Sequence, residues 1–140
     1  MGQREPRDEI LTYLDTHVAV WLCAGSASMF SMGAKDSIES DDDLRISPAV
    51  CLEFQFLRER NRISAAPDEL VAILAADFGV SICAQPFSAV SRAAIDLSWT
   101  RDPFDRFIVG QALVSGSNGI GSKLITADRA IRENYAGAIW

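Results

Sequence analysis

What the chain has little of narrows its chemistry first. Its 140 residues include one histidine, His17, so a Ser-His-Asp or Cys-His site would have to be built on that residue alone. The three cysteines, Cys23, Cys51 and Cys83, are far apart, odd in number and set among apolar neighbours. No CxxC pair occurs, which argues against a zinc site or a disulfide framework and for reduced, packed thiols. There is no Gly-Lys-Ser/Thr to hold a nucleotide phosphate. The Gly-rich stretch from Gly116 to Gly121 follows a predicted helix and precedes a predicted strand, the reverse of a dinucleotide fingerprint, and reads as a flexible turn. Asp41-Asp42-Asp43 lacks the alternation and the glycine of a calcium loop and reads as a solvated turn. Residues 16–34 carry no charge, but Thr16, His17, Gly25, Ser26, Ser28, Ser31 and Gly33 interrupt them too often for a membrane span. The opening MGQREPRDEI is not a signal peptide. These absences point to a cytoplasmic protein that does not enter a membrane.

What is present is globular. Hydrophobic residues make up 49% and charged residues 23%, enough for one core in one domain over residues 1–140, with residues 1–9 as a loosely ordered extension. The net charge of −6 excludes a protein that coats nucleic acid by charge alone. The charge is uneven. Residues 35–43 hold five acids and one lysine, a local −4, which leaves −2 for the rest of the chain. Eleven of the 13 cations are arginine, suited to bidentate phosphate or carboxylate contacts.

Periodicity alternates strand and helix. Strands are expected over 10–14, 44–47, 80–83 (buried) and 123–126, with a further one near 138–140. Helices are expected over 16–24, 34–41, 48–60, from Pro67 onward, over 87–97 and 103–115, and near 128–134. Pro48 and Pro103 suit first helical positions. This order predicts an α/β fold, a three-layer α/β/α sandwich with a mostly parallel sheet of four to five strands. In such sheets the ligand crevice lies outside the carboxyl ends of the strands.

Four acids fall at that end or on apolar helix faces. Asp15 directly follows the strand ILTYL and also suits a helix N-cap. Glu53 sits in the apolar stripe of Val50, Phe56 and Leu57, where it needs a partner, a cation or a raised pKa, unless it reaches water or Arg58 at the stripe's edge. Asp105 shares a helix face with Ile108, Val109 and Ala112. Asp128 follows the strand KLIT and also suits a cap. Asp102, before Pro103, is a natural cap and a secondary candidate, as is Thr126. If the four acids meet, they cannot all stay ionised without cations, and all-oxygen ligation favours Mg²⁺ or Mn²⁺. Such a site serves displacement at phosphorus. Setting these four aside leaves about +2 for the rest of the surface, compatible with a phosphate track using Arg101, Arg106, Lys123 or Arg129.

The segments YLDTHVAVWL (13–22), ISPAVCLEFQFL (46–57), RDPFDRFIVGQAL (101–113) and KLITADRAIRENY (123–135) resemble, in the same order, the PIN-domain family, in particular the toxin component of VapBC-type toxin–antitoxin modules. The resemblance implies a compact α/β/α sandwich acting as a Mg²⁺- or Mn²⁺-dependent endoribonuclease. It also implies a homodimer held inactive by a cognate antitoxin protein. The family's acidic site falls on Asp15, Glu53, Asp105 and Asp128, the four acids already isolated, with Asp102 as an uncertain fifth. The chain departs from the family at Ser98-Trp99-Thr100, where such toxins often carry histidine, and in the longer Gly/Ser stretch before KLITAD. Two other readings stand beside it. One is a non-catalytic PIN-like module that binds RNA or protein, which has no reason to keep inward carboxylates. The other is a phosphoacceptor receiver domain, which wants paired acids after its first strand and a lysine ending a late one, whereas Asp15 is single and Lys123 begins its strand.

Overall fold

The computed structural model describes residues 11–116 and 121–140. The extension read over residues 1–9 and positions 117–120 of the Gly-rich turn lie outside the described residues. Five strands, β1 (Leu11–Leu14), β2 (Asp43–Ile46), β3 (Ser81–Ile82), β4 (Lys123–Ile125) and β5 (Ala138–Ile139), form one parallel sheet in the order β3-β2-β1-β4-β5. Between them run α1 (Thr16–Ala24), α2 (Met32–Ser40), α3 (Pro48–Glu59), α4 (Pro67–Phe78), α5 (Phe87–Ile95), α6 (Pro103–Ser115) and α7 (Arg129–Asn134). The chain leaves β1 toward β2 and β3, then crosses back to β4 and β5. Right-handed crossovers therefore assign α1–α4 to one face and α5–α7 to the other. The three-layer α/β/α sandwich is the one the alternating pattern predicts.

The central strand explains its own apolar run. Thr12, Tyr13 and Leu14 are all fully buried, as a strand covered on both faces requires. Leu44, Ile46, Val50, Phe54, Leu124 and Ile125 join them in the core. Inside it, Tyr13 Oη lies 2.6 Å from Ser115 Oγ and 2.9 Å from Cys83 Sγ, so the buried phenol is satisfied. Helix boundaries follow local chemistry. Ser47 Oγ accepts from Ala49 N–H with Pro48 at the first helical position, and Gly25 and Gly79 close α1 and α4 in the left-handed conformation.

Three expectations are corrected. The strand expected over 80–83 narrows to Ser81–Ile82, and both residues are exposed, because β3 is an edge strand paired only with β2. The helix expected from 34 begins at Met32, since Ser31 Oγ accepts from Ala34 N–H and caps it earlier. The Asp41-Asp42-Asp43 run is not a solvated turn. Asp41 accepts a 2.7 Å hydrogen bond from Thr12 Oγ1 and pairs with Lys123 Nζ at 3.2 Å, while Asp43 pairs with Arg45 at 2.9 Å. These links tie the end of α2 to β1 and β4 near their amino ends, away from the four acids. Lys123 is thereby removed from the phosphate track.

Helices α5 and α6 approach closely where Gly110 faces Val90 and Ala94. A Cβ at Gly110 would meet Val90 O at 3.1 Å and Ala94 N at 3.3 Å, both backbone atoms. Gly110→Ala is therefore expected to force the helices apart and lower stability by about 1–3 kcal/mol, read as a drop in the urea midpoint at unchanged slope.

Candidate active site

The sheet's strand order reverses between β1 and β4, so the crevice outside their carboxyl ends is the natural ligand position. Asp15 follows β1 there and is 5% exposed. Its Oδ1 accepts from Thr16 N–H at 2.8 Å and its Oδ2 from Thr126 Oγ1 at 2.6 Å. Thr126 Oγ1 in turn accepts from Asp128 N–H at 3.0 Å, which fixes the turn after β4. Thr16 Oγ1 donates a short hydrogen bond to Glu53 Oε1 on α3. One chain of hydroxyls thus links the ends of β1 and β4 to the middle of α3. Glu53 is half-buried and accepts from Thr16, and of the two edge-of-stripe alternatives, water or Arg58, the ion pair with Arg58 is absent among the described residues.

Across the crevice stands the first turn of α6. Asp102 is its N-cap, exposed, with Oδ1 accepting from Phe104 N–H at 2.8 Å and from Asp105 N–H at 3.4 Å. Asp105 is half-buried, and among the described residues no group donates a hydrogen bond to its carboxylate. Asp128 is more exposed than an inward acid would be. It caps α7, with Oδ1 accepting from Ile131 N–H at 3.0 Å.

The electrostatics show that these groups share one field. Burial pushes the Asp15 carboxyl up, its two hydrogen bonds pull it back, and Asp128 adds repulsion. Glu53 is raised by burial and by Asp15 and Asp102, against the Thr16 hydrogen bond. Asp105 is pushed up to about 8, first by burial and then by Asp102, Asp15, Asp128 and Glu53. Among the described residues none of these acids is in an ion pair. The exposed His17, on the first turn of α1, acts in the opposite sense on Asp15 and Glu53.

Of the cations in the phosphate-track reading, Lys123 and Arg106 are engaged elsewhere, and Arg101 and Arg129 are exposed. The Arg106 guanidinium is committed to backbone carbonyls, at 2.9 Å from Thr100 O and 3.3 Å from Ile95 O. Arg129 is exposed and pairs with Glu133 at 2.8 Å, and Arg101 is exposed. The donor chemistry at the crevice suits a hard divalent cation: carboxylates and hydroxyls, buried negative charge, and, among the described residues, no arginine or lysine paired with it. The acids interact without closing a cage, for among the described residues no three His, Cys, Asp or Glu side chains already stand in metal-binding array. The sequence reading passed over Thr16. Its signal was a hydroxyl directly after a strand-end acid, a position that the cap reading absorbed.

Comparison with known proteins bears on this geometry. The model of the PIN domain matches residues 12–137. The chain belongs to the PIN-domain family. It is 31% identical over 122 residues to Ribonuclease VapC22 of Mycobacterium tuberculosis, covering 86% of this chain and 89% of that protein. A crystal structure of VapBC2 from Rickettsia felis, bound to a DNA fragment from their promoter, matches the fold with a TM-score of 0.61 at 12% identity. That match covers 89% of this chain and 92% of the other. This PIN domain is accordingly of the VapC type.

The raised carboxyls carry a pH signature. For Asp105 the folded state holds its proton more tightly than the unfolded chain, so the stabilisation is complete below about pH 4 and is lost as pH climbs toward about 8. Asp15 and Glu53 act in the same direction. Metal-free protein is therefore expected to lose thermal stability between pH 5 and 8 by this contribution, and Asp105→Asn to flatten the slope. Melting curves taken at intervals of about one pH unit in EDTA check this.

Proposed function

We propose that this VapC-type PIN domain is a metal-dependent endoribonuclease, the toxin of a toxin–antitoxin module, acting in the cytoplasm. The observation that carries the reading is the field around Asp105. Asp105 is half-buried beside the switch point of the sheet, burial and then four further carboxylates raise its pKa, and no ion pair offsets them among the described residues. A fold without use for such a cluster gains nothing from keeping it, which sets the non-catalytic reading aside. The 31% identity to a protein named as a ribonuclease supports the activity, and the likeness to a VapBC complex supports an antitoxin partner.

In this proposal Asp15, Glu53, Asp105 and Asp128 hold Mg²⁺ or Mn²⁺. When bound, such an ion lowers the pKa of water and neutralises charge on the phosphate being cut. The rest is the work of the chain. Thr126 and Thr16 orient Asp15 and Glu53, so these carboxylates present fixed lone pairs to the crevice. Asp102 is engaged with amides of α6 and orients the turn that carries Asp105. Arg101 and Arg129 are the exposed cations for RNA phosphates.

We further infer a homodimer. Leu52, Phe56 and Phe87 are exposed beside a cleft of about 460 Å³ between α3, α5 and α6, and Phe87 stacks on Phe107 at 5.4 Å. An apolar surface of this kind on so small a domain suits a symmetric partner. Sedimentation at micromolar concentration should give twice 15.3 kDa, and Phe87→Asp with Leu52→Glu should give the monomer. A wild-type monomer counts against the dimer.

The activity is tested with purified protein and a single-stranded RNA. Cleavage should require Mg²⁺ or Mn²⁺ and stop in EDTA, and millimolar Mn²⁺ should raise the melting temperature. Asp105→Asn should lower cleavage by about 10²-fold or more while the protein stays folded. Asp102→Asn should stay within about threefold of wild type, because asparagine caps a helix as well as aspartate does. EDTA-insensitive cleavage, or the reverse ranking of the two variants, would overturn the assignment.

A further inference from the structure

Asp15 and Glu53 are each held by a hydroxyl, but no donor among the described residues holds the Asp105 carboxylate. Its place is set through the turn that carries it, where Phe104 packs on Phe56 and two side chains make hydrogen-bonded ties. One is the Asp102 cap. The other is the side chain of Arg106, the residue directly after Asp105. Arg106 Nε donates to Thr100 O at 2.9 Å, and Nη1 lies 3.3 Å from Ile95 O and 3.5 Å from Ala94 O. Ala94 and Ile95 are the last residues of α5, whose terminal carbonyls have no partners within the helix and carry its negative dipole end. The guanidinium therefore joins the end of α5, the far side of the 96–102 turn and the start of α6 in one charge-assisted fork. Asp102 N–H also bonds Thr100 Oγ1 at 3.2 Å, so the same turn presents both acids.

The arrangement has a second consequence. A cation adjacent in sequence to Asp105 would be the easiest group to neutralise it, yet Arg106 forms no ion pair among the described residues. Its charge is drawn to carbonyls on the α5 side. Arginine suits this because its planar fork serves two separated acceptors at once, where an ammonium is a single point.

We propose that Arg106 is a positioning residue for Asp105, fixing the first turn of α6 against the end of α5 and keeping its own charge off the acid cluster, and that it makes no contact with RNA phosphate. This rests on the reading of Asp105 as part of a divalent-cation site.

Arg106→Gln and Arg106→Lys test it, with Arg129→Gln as the phosphate-contact comparison. In Arg106→Gln, kcat is expected to fall by about 10- to 100-fold and the Mn²⁺ dissociation constant, from calorimetric titration without RNA, to rise by about 10-fold. KM and the affinity for single-stranded RNA in EDTA should stay within twofold. Arg106→Lys, which keeps the charge but not the fork, should fall between wild type and Arg106→Gln in both kcat and Mn²⁺ affinity. Arg129→Gln should instead weaken RNA binding and reduce its salt slope by about 1. Hydrogen exchange at the amides of residues 96–102, 104 and 105 should quicken in both Arg106 variants, a readout that needs neither metal nor substrate. Two results overturn the proposal. One is a loss of RNA affinity and salt slope in Arg106→Gln with kcat at saturating RNA unchanged. The other is unchanged kcat and Mn²⁺ affinity with only a lower melting temperature. If Arg106→Gln does not fold, Arg106→Lys and the exchange rates decide alone. Wild type that neither binds Mn²⁺ nor cuts RNA would instead defeat the metal-site reading, leaving the exchange rates to report on the fork.

Discussion

A carboxylate taken out of water without a cation destabilises a fold unless hydrogen bonds or shared protons offset the loss, and Asp15 sits at that limit. It lies at the end of the central strand, nearly inaccessible, with one backbone amide and one threonine hydroxyl as its partners. The second hydroxyl depends on β4 lying next to β1, so that Thr126 falls within 2.6 Å. Glu53 depends in turn on α3 leaving β2 at the same end, within reach of Thr16. The parallel order β2-β1-β4 is thus the condition for the acid cluster, and the burial and mutual repulsion of its carboxylates are what that order must support.

Charge placement over the rest of the chain respects that cluster. Lys123 is drawn to Asp41 near the amino ends of the strands, Arg45 to Asp43, and Arg106 to the carbonyls that end α5. Each is a cation whose position in the chain or the fold lies near an acid of the crevice or the strands that bear them. None is paired with those acids. The consequence is local rather than global: an acidic chain keeps its negative potential concentrated where burial makes it strongest, and among the described residues no arginine or lysine pairs with those acids.

The comparisons and the geometry speak to different scales. Matching of residues 12–137 to the PIN domain, and 31% identity to a VapC ribonuclease, establish family. Neither says how Asp105 is kept in place, or why Asp102, three residues before it in the motif, is occupied elsewhere. Those distinctions come from hydrogen-bond partners, and they separate two acids that composition treats alike.

Much of this protein was legible in its residues. Alternating apolar runs and helical stripes predicted the sandwich, Pro48 and Pro103 marked the starts of α3 and α6, and strand-end positions picked out Asp15 and Asp128. These are local properties, set by periodicity and by the backbone limits of proline, and they survive in a linear reading. Other features were not legible. The role of Thr16 depends on a glutamate 37 positions away, and Asp41 pairs with a lysine 82 positions away. The acidic run at 41–43 looked solvated because the partners of Asp41, Thr12 and Lys123, are far away in sequence, and the edge position of β3 was invisible because burial depends on the neighbouring strand. Arg106 looked like a cation for phosphate because a sequence records that a charge is present but not which way it turns. Direction, partner and burial belong to the tertiary structure, since each is fixed by groups that only folding brings within a few ångströms.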